Sequence, residues 1–315
     1  MSFKSICVYG AGALGGAIAA KLASADSGVT VSAVARGAHL KSIRENGLRL
    51  FEAGSEKPII ITGLKGHQLG DAAEGMATLL KQGTRVMMIL NGIPWWYFHR
   101  DSQSPHAELQ FEELDPAGRL WRLIGPERVI GCVAMQGAEV VRPGEIQLSN
   151  NGRYILGEPS GEMSADLEGI KSLLTGAGLN VSATPRIRDD IWNKLTGNAA
   201  FNPLSALTRA LMTDIMADPA LYDMVGKIMN EVRAVGTALG ATFSITIEER
   251  LEQSRHIGAV RTSMLQDLLA GKALEIVPLS GMVVSLGRLA AVPTPVSEVV
   301  LALTSQLDIE NRRTS

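Results

Sequence analysis

Three polar residues, Lys194, Asn198 and Asn202, recur at intervals of four in a stretch otherwise rich in apolar side chains, among them Ile191, Trp192, Leu195, Ala199 and Ala200. On a helix each step of four drifts by only about 40°, so the three would form one polar stripe roughly 12 Å long. An ammonium group and two amides beside an apolar surface cost free energy unless they find partners. A cleft between domains that admits a polar ligand would supply them. The rival reading is a solvated helix face, the ordinary fate of lysine and asparagine. Pro203 removes a backbone hydrogen bond and predicts a kink just after Asn202.

A second group of residues points to phosphate chemistry. Gly10-Ala11-Gly12-Ala13-Leu14-Gly15 follows an apolar run, Lys4 to Tyr9, and opens a stretch of helix formers. In that setting Gly10 permits the tight turn, Gly12 lets a pyrophosphate approach the backbone, and Gly15 lets the helix close on the strand. The helix N-terminus then offers free N–H groups and a partial positive charge. The next strand, Val29 to Ala35, ends on Arg36-Gly37 rather than on an acidic residue. A carboxylate there would bind the ribose 2′-hydroxyl of NAD; an arginine suits a 2′-phosphate, which its guanidinium can grip bidentately. The pattern therefore predicts a dinucleotide site with a preference for NADPH. A plain glycine turn and a solvated arginine are the alternatives.

These residues need elements to hold them. Strand, turn, helix and strand fall within about 30 residues, the length of one parallel βαβ unit. Further strands are predicted at Pro58 to Leu64, Arg85 to Leu90, Arg128 to Ala134 and Arg153 to Leu156, with helices at Leu69 to Leu80 and Ser164 to Thr175. Beyond Pro185 the periodicity becomes helical almost throughout: Asp189 to Leu207, Ala220 to Leu239, Ile247 to Gln253, Met264 to Ala270, Pro278 to Leu289 and Pro295 to Leu307. The expected fold is α/β: a Rossmann-type, mostly parallel sheet domain over 1–184, then an all-α domain over 185–315. A length of 315 residues is itself more than one ordinary core. Four consecutive aromatics, Trp95 to Phe98, sit in a predicted loop, where they either pack beneath the domain interface or line the pocket.

Composition excludes other classes. Apolar residues make up 46% and charged residues 20%, a globular balance. A net charge of -2 gives no general attraction to nucleic acid or anionic lipid, so neither is an expected partner. Cys7 and Cys132 both fall in strand-like runs and read as small buried hydrophobes; no Cys/His cluster has metal-ligand spacing, so no metal is expected. Lys4 and the small-residue stretch behind it superficially imitate a secretory signal, but Gly10, Gly12, Gly15 and Gly16 interrupt it. No apolar run approaches the roughly 20 residues of a membrane span. A soluble, cytoplasmic protein is expected; a homodimer is left open.

Read along its whole length, the sequence resembles the 2-dehydropantoate 2-reductase (ketopantoate reductase) family. The resemblance is carried by Ala35-Arg36-Gly37 with His39-Leu40, Asn46-Gly47-Leu48, Lys65 with His67-Gln68, and Asn91-Gly92-Ile93-Pro94. Gly125 to Val129, Ile191 to Leu195, Asn198 to Thr208 and Thr262 to Asp267 complete it. It implies NADPH-dependent reduction of a 2-keto acid, ketopantoate, to pantoate. It further implies that Lys194 is the general acid, giving a proton to the carbonyl oxygen as hydride transfer builds negative charge there. Glu275 is implied as the acidic group that receives a substrate hydroxyl, and Asn198, Asn202 and Ser263 as further substrate contacts, Ser263 at the carboxylate. Asn91 and Lys65 are implied near the cofactor, Asn91 also near Lys194.

Several of these residues have other readings. Ser263-Met264-Leu265-Gln266 fits a capping box, so its hydroxyl can serve a helix end; Glu275 can be an exposed charge or a helix-end partner, and Lys65 a solvated loop lysine. Two features depart from the family: Leu48 to Lys65 is short, and Val260 stands where some members carry a substrate-binding asparagine. A related reductase acting on another 2-keto acid, and a non-catalytic NADPH-binding sensor, are the competing functions.

Overall fold

A computed structural model of the chain describes residues 5–25, 28–38, 40–41, 59–102, 104–142, 145–148, 152–256 and 258–314. His39 and Asn46-Gly47-Leu48 of the resemblance, and most of the short stretch before Lys65, lie outside the described residues. The chain separates into two compact units, Met1–Leu90 with Trp95–Ile187, and Asn91–Pro94 with Arg188–Ser315.

The first unit runs β1 (Ser5–Tyr9), α1 (Ala13–Ser24), β2 (Thr30–Val34), β3 (Ile59–Thr62), α2 (Gly66–Ala77), β4 (Arg85–Ile89), α3 (Arg119–Leu123), β5 (Val129–Ala134), β6 (Ala138–Arg142), β7 (Glu145–Leu148), β8 (Arg153–Gly157), α4 (Ala165–Gly176) and β9 (Asn180–Ala183). Among the described residues, seven strands form one sheet in the order β2-β1-β3-β4-β5-β8-β9. All neighbours are parallel except β5 and β8. This is the expected Rossmann-type arrangement. The central strands β3 and β5 are buried along their whole length, which is why they read as continuous apolar runs rather than alternating ones. The chain leaves β1 outward to β2 and returns to β3 on β1's other side. The crevice at such a switch point, beyond the C-terminal ends of β1 and β3, is where sheets of this kind bind ligands.

Elements that the periodicity did not predict are β6, β7, β9, α3 and a short helix in the second unit. β6 and β7 pair as a separate antiparallel hairpin. Its exposed, polar β7 carries little apolar signal, and Ile146 is the side chain it lays against Gly16 of α1. The four aromatics Trp95 to Phe98 are all buried and pack inside the first unit. Trp95 donates to Met88 Sδ and meets Trp121 edge-on at 6.0 Å, while Phe98 packs on Tyr97, His106 and Phe111. Trp96 lies over β5, where a Cβ on Gly131 would come within 2.6 Å of its ring. Cys7 on β1 and Cys132 on β5 form no disulfide, and burial pushes the Cys7 thiol up despite its bond with Ser32.

The second unit is helical, as expected: α5 (Ile187–Thr208), α6 (Met212–Ala217), α7 (Pro219–Ala238), α8 (Ile247–Arg255), α9 (Ser263–Leu269), α10 (Met282–Leu289) and α11 (Pro295–Thr314). A π-turn, Val277–Gly281, occupies the start of what periodicity had predicted as one helix from Pro278. α5 runs on through Pro203. Its Trp192 is fully buried against α7, where Gly236 leaves room: a Cβ there would meet the indole at 2.9 Å. α7 buries Val225, Ile228, Met229, Val232, Val235 and Gly236, the stripe of a helix with one face on a core. No helix among the described residues is long and apolar enough to cross a membrane.

Candidate active site

The glycine turn lies in the first unit and is anchored from two strands. Val34 O, at the end of β2, accepts from Gly10 N at 3.1 Å and from Ala11 N at 3.0 Å; Gly63 N, just past β3, donates to Tyr9 O at 3.0 Å. Gly10 has φ +99, a conformation that side-chain-bearing residues rarely adopt. A Cβ on Gly15 would strike the Gly10 carbonyl oxygen, so this glycine is what lets α1 close on the turn. Gly63, which sequence reasoning passed over, presses on the same point: its Cβ would fall 2.6 Å from Gly10 O and 2.9 Å from Gly15 Cα. The signal available was a glycine directly behind an apolar strand.

Gly12 differs from its neighbours. Among the described residues a Cβ there would meet nothing nearer than Gly63 O at 3.9 Å, so their packing does not require a glycine. Gly12 is the N-cap of α1, no side chain caps the helix, and its first turn, with Ala13 and Leu14, carries no acidic residue. Such a helix end leaves N–H groups to be satisfied from outside. A small residue that the protein's own packing does not demand, set at an uncapped helix end, fits a diphosphate. Arg36 is exposed, two residues past the Val34 carbonyl that holds the turn. Lys65 is half-buried and precedes α2, where its backbone N–H donates to Gln68 Oε1 at 3.2 Å.

The polar stripe lies in the second unit, and residues distant in sequence gather on it. Asn91 follows β4 in the chain, yet its segment packs with the helices: Ile93 N donates to Pro278 O at 2.8 Å. Gly92 makes this approach feasible, with φ +73 and a Cβ position that would fall on the Pro278 carbonyl. Lys194 Nζ donates to Asn91 Oδ1 at 2.7 Å, and Asn91 Nδ2 donates to Glu275 Oε2 at 3.2 Å. The amide cannot be turned round, because an ammonium only donates and an ionised carboxylate only accepts. The asparagine thus fixes the ammonium and the carboxylate at its two ends. A hydrogen bond from a charged group to an amide is worth about 1.5–3 kcal/mol when shielded from water.

Glu275 is buried, so the exposed-charge reading is set aside. Leu274 and Ile276 on either side are buried, and Leu274 N donates at 2.9 Å to Asp308 on α11, which pins the segment. Asn198 is half-buried, and no described residue bonds its side chain. Asn202 is 6% exposed, and its Nδ2 reaches Ser263 Oγ only at 3.5 Å.

The predicted cap at Ser263 is corrected. Thr262 is the N-cap of α9, and its hydroxyl accepts from Leu265 N at 3.2 Å. Gln266, which should have closed a box on Ser263, instead donates to Arg261 O at 3.2 Å. Ser263 is therefore the first residue of α9 and is exposed, its hydroxyl not spent on the cap. Lys194, Asn198, Asn202, Ser263, Glu275 and Asn91 all fall in one compact unit. An oriented ammonium, a buried carboxylate and neutral amide and hydroxyl donors can hold a small polar ligand and pass it a proton.

Comparisons with known proteins match both parts of the chain. Residues 6–161 match the family described as ketopantoate reductase PanE/ApbA, and residues 186–308 match its C-terminal part. A 2-dehydropantoate 2-reductase from Mesorhizobium japonicum is 41% identical, over 97% of this chain and 98% of its own length. A crystal structure from Ralstonia solanacearum MolK2, provisionally named a ketopantoate reductase, superposes with a TM-score of 0.89 at 36% identity, covering 97% of this chain and 98% of that one. D-mandelate dehydrogenase in its ternary structure with NADH and anilino(oxo)acetate has the same fold, with a TM-score of 0.80 at 22% identity and coverage of 98% and 99%.

Proposed function

The chain belongs to the ketopantoate reductase family, a family of oxidoreductases, and on that premise we propose that it reduces 2-dehydropantoate (ketopantoate) to pantoate with NADPH, Lys194 acting as the general acid. The observation that carries this reading is the Lys194–Asn91–Glu275 chain of hydrogen bonds, which holds a proton donor in a fixed direction. When bound, the reduced nicotinamide supplies the hydride. Lys194 gives its proton to the carbonyl oxygen as charge develops there, and its cationic form stabilises that charge beforehand. Glu275 accepts a hydrogen bond from the substrate's hydroxyl. Asn198, Asn202 and Ser263 donate to the carboxylate and carbonyl oxygens. Gly10 to Gly15 would hold the diphosphate on backbone N–H groups, Arg36 the 2′-phosphate, and Lys65 and Asn91 would contact the cofactor's polar groups.

The test is NADPH oxidation followed at 340 nm with ketopantoate and a panel of other 2-keto acids. Turnover confined to ketopantoate supports the assignment; turnover only with another acid replaces the substrate, and cofactor binding without turnover removes the enzyme. The 2′-phosphate reading has its own prediction. Arg36→Ala should lower kcat/KM with NADPH by about tenfold or more while leaving NADH almost unaffected, since only one of them carries the phosphate. An unchanged ratio of the two kcat/KM values would remove Arg36 from the site.

A further inference from the structure

Arg250, on α8, has no place in the reaction as drawn so far. Its Nε is shut off from solvent, and among the described residues its guanidinium makes no hydrogen bond or ion pair. A cation desolvated without an anion is costly, and burial accordingly pulls this guanidinium below its usual range. The group lies over Gly197 of α5: a Cβ there would sit 2.8 Å from one terminal nitrogen of Arg250 and 3.6 Å from Cζ and Nε. Gly197 is three residues beyond Lys194, and positions three apart are neighbours on a helix surface. Lys194 of α5 and Arg250 of α8 therefore lie against the same turn of α5, and the Glu275 carboxylate accepts a hydrogen bond from Asn91. Asn198, Asn202 and Ser263, the other polar groups assigned to the site, are neutral, so they can orient an anion without neutralising it.

Resting on the keto-acid reading above, we propose that Arg250 is an anion-binding residue of the substrate site and grips the carboxylate of the 2-keto acid beside Lys194. The absence of a side chain at Gly197 is what lets the guanidinium lie against the helix at that point. This division of labour leaves the Lys194 ammonium for the carbonyl oxygen. It also gives the site a second cation beside Lys194 with which to select a charged acid over an uncharged ketone.

The experiment compares ketopantoate with its primary amide, which keeps the shape and loses the charge, in the full-length protein. Arg250→Met keeps much of the side-chain volume and removes the cation. Its KM for the acid should rise at least about 30-fold, while the KM for the amide, the KM for NADPH and kcat stay within about threefold. Gly197→Ala, which only displaces the flexible end of Arg250, should raise the KM for the acid in the same selective way. A rise for acid and amide alike, with a lowered melting temperature, would make Arg250 a packing residue and overturn the proposal, as would no rise at all. Calorimetric binding of ketopantoate to the wild type and to Arg250→Met separates this idea from the reductase reading. Charge-dependent binding without turnover would sink the reaction and keep Arg250, whereas turnover insensitive to Arg250 would do the reverse.

Discussion

Lys194→Ala is expected to lower kcat for ketopantoate reduction by about 10²–10⁴-fold, with NADPH affinity unchanged. Neither of the groups hydrogen-bonded along this chain can replace the ammonium. Asn91 is a neutral amide whose oxygen faces Lys194 and whose nitrogen faces Glu275, and an ionised Glu275 only accepts. Removing the lysine deletes the proton donor and the positive charge together, and leaves Asn91 Oδ1 without that bond. A thousandfold fall corresponds to about 4 kcal/mol of lost transition-state stabilisation. Lys194→Arg separates the two contributions: it restores charge, but a guanidinium does not release its proton, so recovery should be slight. The measurements are steady-state kcat and KM with a fluorescence titration of NADPH. An alanine variant with wild-type kcat would remove Lys194 from the chemistry, and a parallel loss of NADPH binding would make its role structural.

Gly15→Ala should abolish effective cofactor binding and destabilise the first unit, whereas Gly12→Ala should weaken the cofactor alone. At Gly15 the new methyl group meets the Gly10 carbonyl, with Gly63 Cα 3.3 Å away, and both are backbone that cannot swing aside. α1 must retreat from β1. Overpacking of this kind costs about 1–3 kcal/mol, and the retreat carries the helix N-terminus away from its ligand, so NADPH affinity should drop at least about tenfold. At Gly12 the methyl meets no atom of the described residues closer than 3.9 Å, so the melting temperature should hold while NADPH affinity falls. Thermal denaturation with and without NADPH distinguishes the two glycines. If Gly12→Ala bound NADPH as tightly as the wild type, the diphosphate would not approach the backbone there, and the dinucleotide assignment of this turn would fail.

The contrast between those glycines shows what kind of information was local. Strand β1, the turn and α1 could be read in advance because the apolar run, the glycine spacing and the helix formers act over a few residues. The same holds for α7, whose buried face repeats with the helical period. β7 could not be read, because its side chains are mostly exposed and its pairing with β6 carries the order. The cap of α9 was misplaced by one residue. Thr262 and Ser263 are adjacent residues that can both cap a helix; in the structure Thr262 takes the cap and Gln266 turns to the Arg261 carbonyl.

The amino-acid order by itself determined a dinucleotide-type turn, a helical second half and a lysine–asparagine stripe, since each depends on spacing within one element. Only the tertiary structure decided that Asn91 bridges Lys194 and Glu275 across 103 and 184 residues of chain, that Gly63 backs the turn, and that Arg250 lies over Gly197. A polar side chain carries no mark of its distant partner; hydrogen-bond demand at a buried position is met by whichever group the packing of the whole chain delivers there.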